Sequence, residues 1–267
     1  MMLSQFSLPD IEATKRQWDK NYLEWMKGDV SQYLLEYRKD YLDDILKPIN
    51  KFWKIKPGLV YGEIGCGLAI VGLEMAKKGC LVVGIDLSLE GLKLAKKLYE
   101  REKREGLFVG GNILKIPLKS ASLDLIYGGG VLEHFKDTAE AIKELYRVLK
   151  KGGRIFATVP FVSLGALTYR QVYGNIPDLP ILRTILEFFH IKILKGKFMS
   201  FGYEKSFTER KLKQLFSQAG FQKIKIDFFE CHLPFYRFKN KHLKKILRKI
   251  AKFKLFWPMV YVEAVKR

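Results

Sequence analysis

The sequence predicts an α/β fold, a doubly wound, mostly parallel sheet with helices on both faces. Three observations carry this. Between residues 58 and 160, short apolar runs alternate with helical patterns. The runs are near-continuously apolar, as strands buried on both faces are. A glycine-rich stretch, "GEIGCGLA" (62–69), follows the first run, where open parallel sheets bind their ligands.

Each element follows from local pattern. Residues 10–54 read as helices, because "RQWDKNYLEWMKG" and "VSQYLLEYRKDYLDDILKPINKFW" set apolar residues three and four apart. "GLVYGEI" (58–64) is a strand, followed by a helix over 69–79. "CLVVGID" (80–86) is a strand, followed by a helix over 89–104 that Ser88 can cap. "GLFVGGN" (106–112) and "LDLIYGG" (123–129) are further strands. Asp137 and Glu140 are spaced as a capping box for a helix over 138–151, with Ala141, Ile142, Leu145, Val148 and Leu149 turned inward. Gly152 and Gly153 end it, and "RIFATVP" (154–160) is the fifth strand.

After Pro160 the alternation stops, and residues 162–205 form a long insertion. "SFTERKLKQLFSQAGF" (206–221) is a helix, with Ser206 and Glu209 as its capping box and Gly220 as its stop. "KIKIDFF" (223–229) and "WPMVYVEAVK" (257–266) are the last strands. No internal repeat or low-complexity tract is present.

Composition narrows the class. The 267 residues are 48% hydrophobic, enough for a sizeable core and too apolar for global disorder. Cys66, Cys80 and Cys231 are too scattered for a disulfide framework or a zinc site, which points to a reducing compartment. No signal-peptide pattern and no membrane-spanning apolar run is visible, so the expected location is cytoplasmic. The net charge is +20 and uneven, +5 over residues 1–160 (26 basic, 21 acidic) and +15 over 161–267 (22 and 7). That surplus in the last third calls for an anionic partner.

The glycine loop identifies its ligand by what it lacks. A dinucleotide fingerprint needs G-x-G-x-x-G, but Ile70 stands where the third glycine belongs. Glu63, two residues before Gly65, would repel a diphosphate. The same features suit a phosphate-free cation such as S-adenosylmethionine (SAM). Gly65 and Gly67 let the backbone approach the methionine part, and Glu63 can face the cationic groups directly or through water. Asp86 ends the second strand 21 residues after Gly65, where an acid accepts from two ribose hydroxyls.

At these residues the chain resembles the class I SAM-dependent methyltransferases, of the small-molecule type near the quinone-biosynthesis methyltransferases. "GEIGCGLA" resembles E/D-x-G-x-G-x-G. "GIDLS" resembles the ribose-binding strand end. "GNILKIPLKSASLDLIYGGGVLEHF" resembles the run that ends in L-E-H, and "ELYRVLKKGGRIFATVP" the helix, glycine pair and strand that follow. The resemblance covers about 58–160, and more weakly 206–230. It implies a Rossmann-like, seven-stranded sheet with an antiparallel last strand. The whole chain would then be one methyltransferase domain: N-terminal helices (1–57), a SAM-binding core (58–161), a lid insertion (162–205), and a late helix with the last two strands (206–267), interrupted by a basic insertion (231–256).

The resemblance also implies that Leu87 packs on the adenine, that Ile113 flanks it, and that backbone at Gly128 and Gly129 lines the methionine end. Two positions depart from the family pattern. Ala69 replaces the third glycine, and Asn112 replaces an acid. The amide oxygen of Asn112 can still accept from the adenine amino group.

Methyl transfer is a displacement at carbon whose electrophile the cofactor activates, so the protein chiefly aligns the acceptor. A hydroxyl acceptor must also lose a proton, and His134 in "VLEHF" is the candidate general base. Glu133 reads as a structural or water-positioning acid, and Cys66 as a packed residue. No residue set has metal-ligand spacing, so no metal is expected.

The acceptor must be read from the unmatched segments. Phe161, Tyr169, Tyr173, Phe188, Phe189, Phe198, Phe201 and Tyr203 in or beside the insertion could enclose an apolar or aromatic acceptor, or pack between lid and sheet. Residues 236–256 repeat Leu243, Ile246, Leu247, Ile250 and Phe253 at helical spacing, with eight basic and no acidic residues between 239 and 254. This pattern fits a helix lying on an anionic membrane, and the enzyme would then be peripheral on the inner membrane surface. RNA phosphates are one alternative, and an ordinary helix that packs its apolar face on the sheet edge with its lysines in water is the other. The expected acceptor is therefore small, lipid-like or aromatic. An RNA methyltransferase is the second reading, without a catalytic Asn-Pro-Pro-Tyr or cysteine pair to support it. A SAM-binding protein without catalysis is the third.

Overall fold

A computed structural model describes residues 11–25, 42–199, 202–229 and 240–267. Two N-terminal helices, α1 (Ile11–Trp25) and α2 (Asp43–Phe52), precede β1 (Val60–Ile64). Then α3 (Ile70–Lys77), β2 (Leu81–Asp86), α4 (Leu89–Arg101), β3 (Leu107–Gly110), β4 (Leu123–Gly129), α5 (Thr138–Val148) and β5 (Leu149–Pro160) follow in turn. The expected alternation holds through this part of the chain, but α5 stops at Val148, so Gly152 and Gly153 lie inside β5 and do not end the helix.

The sheet has seven strands in the order β3-β2-β1-β4-β5-β9-β8. The first five run parallel, and β9 (Met259–Lys266) is antiparallel to both β5 and β8 (Phe221–Phe228). Strand order reverses between β1 and β4, so a crevice opens at their carboxyl ends. Side chains alternate between two apolar layers, as a strand's two-residue period requires. Leu125 and Tyr127 enter one layer with Leu73, Leu92 and Phe156, while Ile126 enters the other with Leu145, Val148 and Phe216. Removing a ring such as Phe156, fully buried between β4 and β9, should cost about 3–5 kcal/mol.

Helix starts follow the local chemistry. Ser88 Oγ accepts from Gly91 N at 3.1 Å and Asp137 Oδ1 from Glu140 N at 3.0 Å, as expected. The late helix α8 (Glu209–Gln218) differs. Its cap is Thr208, which accepts from Lys211 N, whereas Ser206 lies in a strand. Gly220 stops the helix at a φ of +100°.

The insertion is tied at its base. Val162 N donates to Phe207 O, and Phe207 N to Pro160 O, both at 2.9 Å. It contains α6 (Leu164–Leu167), a parallel strand pair β6 (Asn175–Pro177) and β7 (Glu204–Ser206), and α7 (Pro180–Glu187), which continues as a π-helix over Phe188–Ile193. Its aromatics split: Phe161 and Tyr203 are buried, whereas Phe188, Phe189 and Phe198 are exposed. The last three therefore line no enclosed pocket. Tyr169's side chain and Phe201 lie outside the described residues. The last helix, α9 (Lys241–Ile250), begins at an Asn240 cap; residues 236–239 of the expected basic helix lie outside the described set.

Candidate functional site

The site is built at the carboxyl edge of β1, β2 and β4. Gly65 and Gly67 have φ values of +62° and +49°, which glycine adopts freely. A Cβ on Gly65 would collide with Val131, so the loop lies directly under the segment after β4. Ala69 also sits in the left-handed region, at φ +50° and ψ +45°, just before α3. The substitution for glycine therefore costs about 1 kcal/mol of backbone strain at this turn.

Glu63 is buried beside this loop. Its Oε2 accepts from Gly72 N at the first turn of α3 and from the Tyr61 hydroxyl at 3.3 Å. Burial pushes its pKa up to about 8, and the bonds to Gly72, Tyr61 and Val71 only partly offset this. A cation brought close would favour the charged form. At the next strand end, Asp86 is also buried. Its Oδ2 accepts from Gly67 N at 2.7 Å and its Oδ1 from Ser88 N at 2.8 Å. One carboxylate thus holds both the glycine loop and the start of the following helix, and each oxygen keeps a further lone pair. Burial raises its pKa, opposed by those backbone donors.

The adenine-side positions follow β2 and β3. Leu87 is half-buried and Ile113 buried. The Asn112 amide oxygen accepts from Leu114 N at 3.0 Å, which shapes the turn. At the end of β4, a Cβ on Gly128 would meet nothing nearer than Ile64 O at 4.0 Å, and one on Gly130 nothing nearer than Glu133 Oε1 at 3.7 Å. At Gly129 it would collide with the Tyr127 hydroxyl. Gly128 and Gly130 thus border a cradle that side chains would fill, between the glycine loop and Asp86 on one side and the end of β4 on the other. These residues fit SAM: an open backbone cradle, an acid at the second strand end and a titratable carboxyl for its cationic end.

His134 lies in a short 3-10 turn, Leu132–His134, just after β4. Its Nδ1 donates to the main-chain oxygen of Tyr203 at 2.8 Å. That bond makes Nδ1 the protonated nitrogen and leaves Nε2 with its lone pair. Burial lowers its pKa, against the Glu204 charge and the backbone of Tyr203 and Gly130, so the ring is neutral at pH 7. Glu133 is buried, and its Oε2 has no hydrogen-bond partner. Burial and the nearby Glu204 raise its pKa well above the usual range. Cys66 is buried with its thiol pushed up by burial, a packed residue and not a nucleophile. No metal-binding cluster occurs among the described residues.

Several residues here give no sequence signal of their own. Helix α1 crosses the site. Asp19 Oδ1 accepts from Ser88 Oγ at 2.6 Å and from Glu90 N at 3.3 Å, while Lys15 pairs with Oδ2 at 2.8 Å. A Cβ on Gly67 would collide with the Tyr22 hydroxyl, so this ring covers the loop. Trp18 stands edge-on to His134, with ring centroids 5.8 Å apart. From the insertion, Arg170 pairs with Glu204, which also accepts from Asn175 Nδ2 at 2.8 Å. Lys205, fully buried, donates to Thr138 Oγ1 at 2.8 Å and to Lys136 O at 3.0 Å, and burial lowers its pKa to about 8. The i, i+4 spacing of Trp18 and Tyr22 marks an aromatic face on α1, but nothing local says what it covers.

Comparison with known proteins agrees with this fold. Residues 62–157 match the family model described as a methyltransferase domain. A demethylmenaquinone methyltransferase of Lactiplantibacillus plantarum is 27% identical over 177 residues, covering 61% of this chain and 69% of that protein. Among solved structures, the magnesium protoporphyrin IX methyltransferase of Synechocystis, with bound S-adenosylhomocysteine, superposes with a TM-score of 0.61 over 97% of this chain and all of that one, at 14% identity. The phosphoethanolamine N-methyltransferase 2 of Haemonchus contortus gives 0.59 over 85% of this chain and 52% of that one, at 19% identity. At these identities the two structures speak for the fold alone.

Proposed function

Because this chain belongs to the class I SAM-dependent methyltransferases, we propose that its acceptor is a small molecule with an apolar, lipid-like or aromatic body, and that His134 takes the acceptor's proton. The observation that carries the second part is the hydrogen bond from His134 Nδ1 to Tyr203 O, which holds the proton on Nδ1 and makes Nε2 the nitrogen that can accept one. Support for the first part is the similarity to methyltransferases whose names give small-molecule acceptors, including a demethylmenaquinone.

SAM, when bound, supplies a methyl group already activated by the positive charge on sulfur. The chain's own residues bind the cofactor, balance its charge, take the proton and exclude water. Asp86 would accept from the ribose hydroxyls, the Gly65–Gly67 backbone would let the methionine part approach, and Leu87, Asn112 and Ile113 would border the adenine. Gly128 and Gly130, not Gly129, leave room beside the methionine end, and Glu63 would balance its charge. His134, neutral at pH 7, accepts the proton of a hydroxyl or acidic carbon as the acceptor attacks. Helix α1 and the insertion exclude water from above.

Among the described residues no helix is long and apolar enough to cross a membrane. For a lipid-like acceptor, we assign the contact with its surface to α9. The test is incubation with methyl-labelled SAM and total cell extract. Label in small, organic-soluble molecules is expected. Label in RNA or protein would contradict the acceptor class, and no label in any fraction would contradict catalysis.

A further inference from the structure

We propose that α9 and the turn after it form a docking face for an anionic membrane, which sets the carboxyl edge of the sheet against the lipid headgroups. This deepens the reading of a lipid-like acceptor, and its purpose rests on that reading. The first observation is where the apolar stripe of α9 points. An amphipathic helix usually buries its apolar face on the core. Here Leu247 is half-buried, but Leu243, Ile246 and Ile250 are exposed, Ile246 by 55%, and after the helix Phe253 is exposed by 68% and Leu255 by 60%. The stripe is continued by Leu164 and Leu167 of α6, which packs beside Lys254–Phe256 and is itself exposed at both leucines.

The second observation is charge. Eight basic and no acidic residues lie between 239 and 254. Lys245, Lys249 and Lys252 are exposed. Exposed aliphatic and aromatic side chains beside uncompensated lysines match a lipid surface, which takes apolar groups between anionic headgroups. RNA would use the lysines and leave the apolar stripe without a purpose. A second copy of the same face would bring like charges together.

The third observation is topology. The chain after α9 is anchored: Ala251 is buried, Lys254 pairs with Glu209 at 2.6 Å, and Trp257 packs on Phe161 and Phe228. It leads straight into Met259, whose partner across the sheet is Pro160, the last residue of β5. The docking face therefore hangs from the same edge of the sheet as the glycine loop, Asp86 and His134. A helix placed at the opposite edge would hold the cleft away from the bilayer.

The test is sedimentation with vesicles of phosphatidylcholine alone and of equal parts phosphatidylcholine and phosphatidylglycerol, at low and high ionic strength. Binding to the anionic vesicles only, weakened by salt, is expected. Lys245→Gln, Lys249→Gln and Lys252→Gln together should lower partitioning on the order of 100-fold. Ile246→Ser with Phe253→Ser should lower it at least 10-fold in the absence of any charge change. Both variants should keep the thermal shift that SAM gives the wild type, which shows that they fold. Three results would overturn the proposal: no binding to anionic vesicles at low salt, binding indifferent to the serine substitutions, or a wild-type dimer in solution that the serine substitutions dissociate. Vesicle binding without label transfer into organic-soluble molecules would leave the docking face standing and defeat the acceptor reading. Label transfer without vesicle binding would do the reverse.

Discussion

His134 Nδ1 donates to the main-chain oxygen of Tyr203 at 2.8 Å, a bond between residues 69 positions apart. It joins the end of β4 to the returning limb of the insertion, so the insertion orients the ring. Trp18 of α1 meets the same ring from another direction. Three segments distant in sequence thus converge on one imidazole.

His134→Ala should lower the single-turnover rate roughly 100-fold or more while SAM affinity stays nearly unchanged. Since burial holds the His134 pKa below its ordinary 6.5, the wild-type rate should be flat at neutral pH and fall only in the acid range below that value. Loss of SAM affinity without loss of rate would make the residue structural.

Glu63 should reveal itself by pH. With its pKa raised to about 8, the native state keeps a proton that the unfolded chain releases near 4.5. Its contribution to stability is therefore full below 4.5 and is lost as pH rises through 8. Glu63→Gln, which mimics the protonated acid, should be nearly neutral below about pH 4.5 and gain on the wild type as pH rises from there toward 8. Glu63→Ala should cost about 1–3 kcal/mol, because Gly72 N loses its acceptor. If Glu63 faces the cationic end of SAM, wild-type affinity should also increase toward pH 8, and that increase should vanish in the glutamine variant. Denaturation curves and calorimetry across this range decide both points.

The strap over the site should loosen when its latch is cut. Asp19→Ala removes the acceptor of Ser88 Oγ and Glu90 N, at a cost of about 1–3 kcal/mol. Faster SAM release and easier proteolysis within residues 11–25 are expected, with the sheet unaffected. Unchanged SAM release would mean that α1 does not retain the cofactor.

Much of this was legible in the sequence because it is local. The caps at Ser88 and Asp137 act on amides three residues away, and the strands between them are short apolar runs with glycine stops. The glycine loop and Asp86 carry their meaning in spacing alone. The late helix shows the limit. Ser206 and Thr208 are both capping types, but Ser206 is drawn into β7 by pairing with Pro177 in the insertion, which leaves Thr208 as the cap. No local pattern records that pairing. Nor could Asp19 be linked with Ser88, 69 residues on, or Arg170 with Glu204, since these contacts exist only once the fold has closed. The stripe on α9 was legible; that it faces outward was not, because periodicity gives a face and not its environment.

The cleft itself is tested most directly by calorimetric titration of SAM into wild-type protein and Asp86→Ala, with thermal denaturation as the check on folding. The Asp86 side chain ties the glycine loop to the second strand end, through Gly67 N and Ser88 N. Loss of a charged acceptor to the ribose hydroxyls should weaken SAM about 10- to 100-fold in a variant that still folds. Unchanged SAM affinity in the folded variant, or NADH bound more tightly than SAM by the wild type, would contradict the assignment.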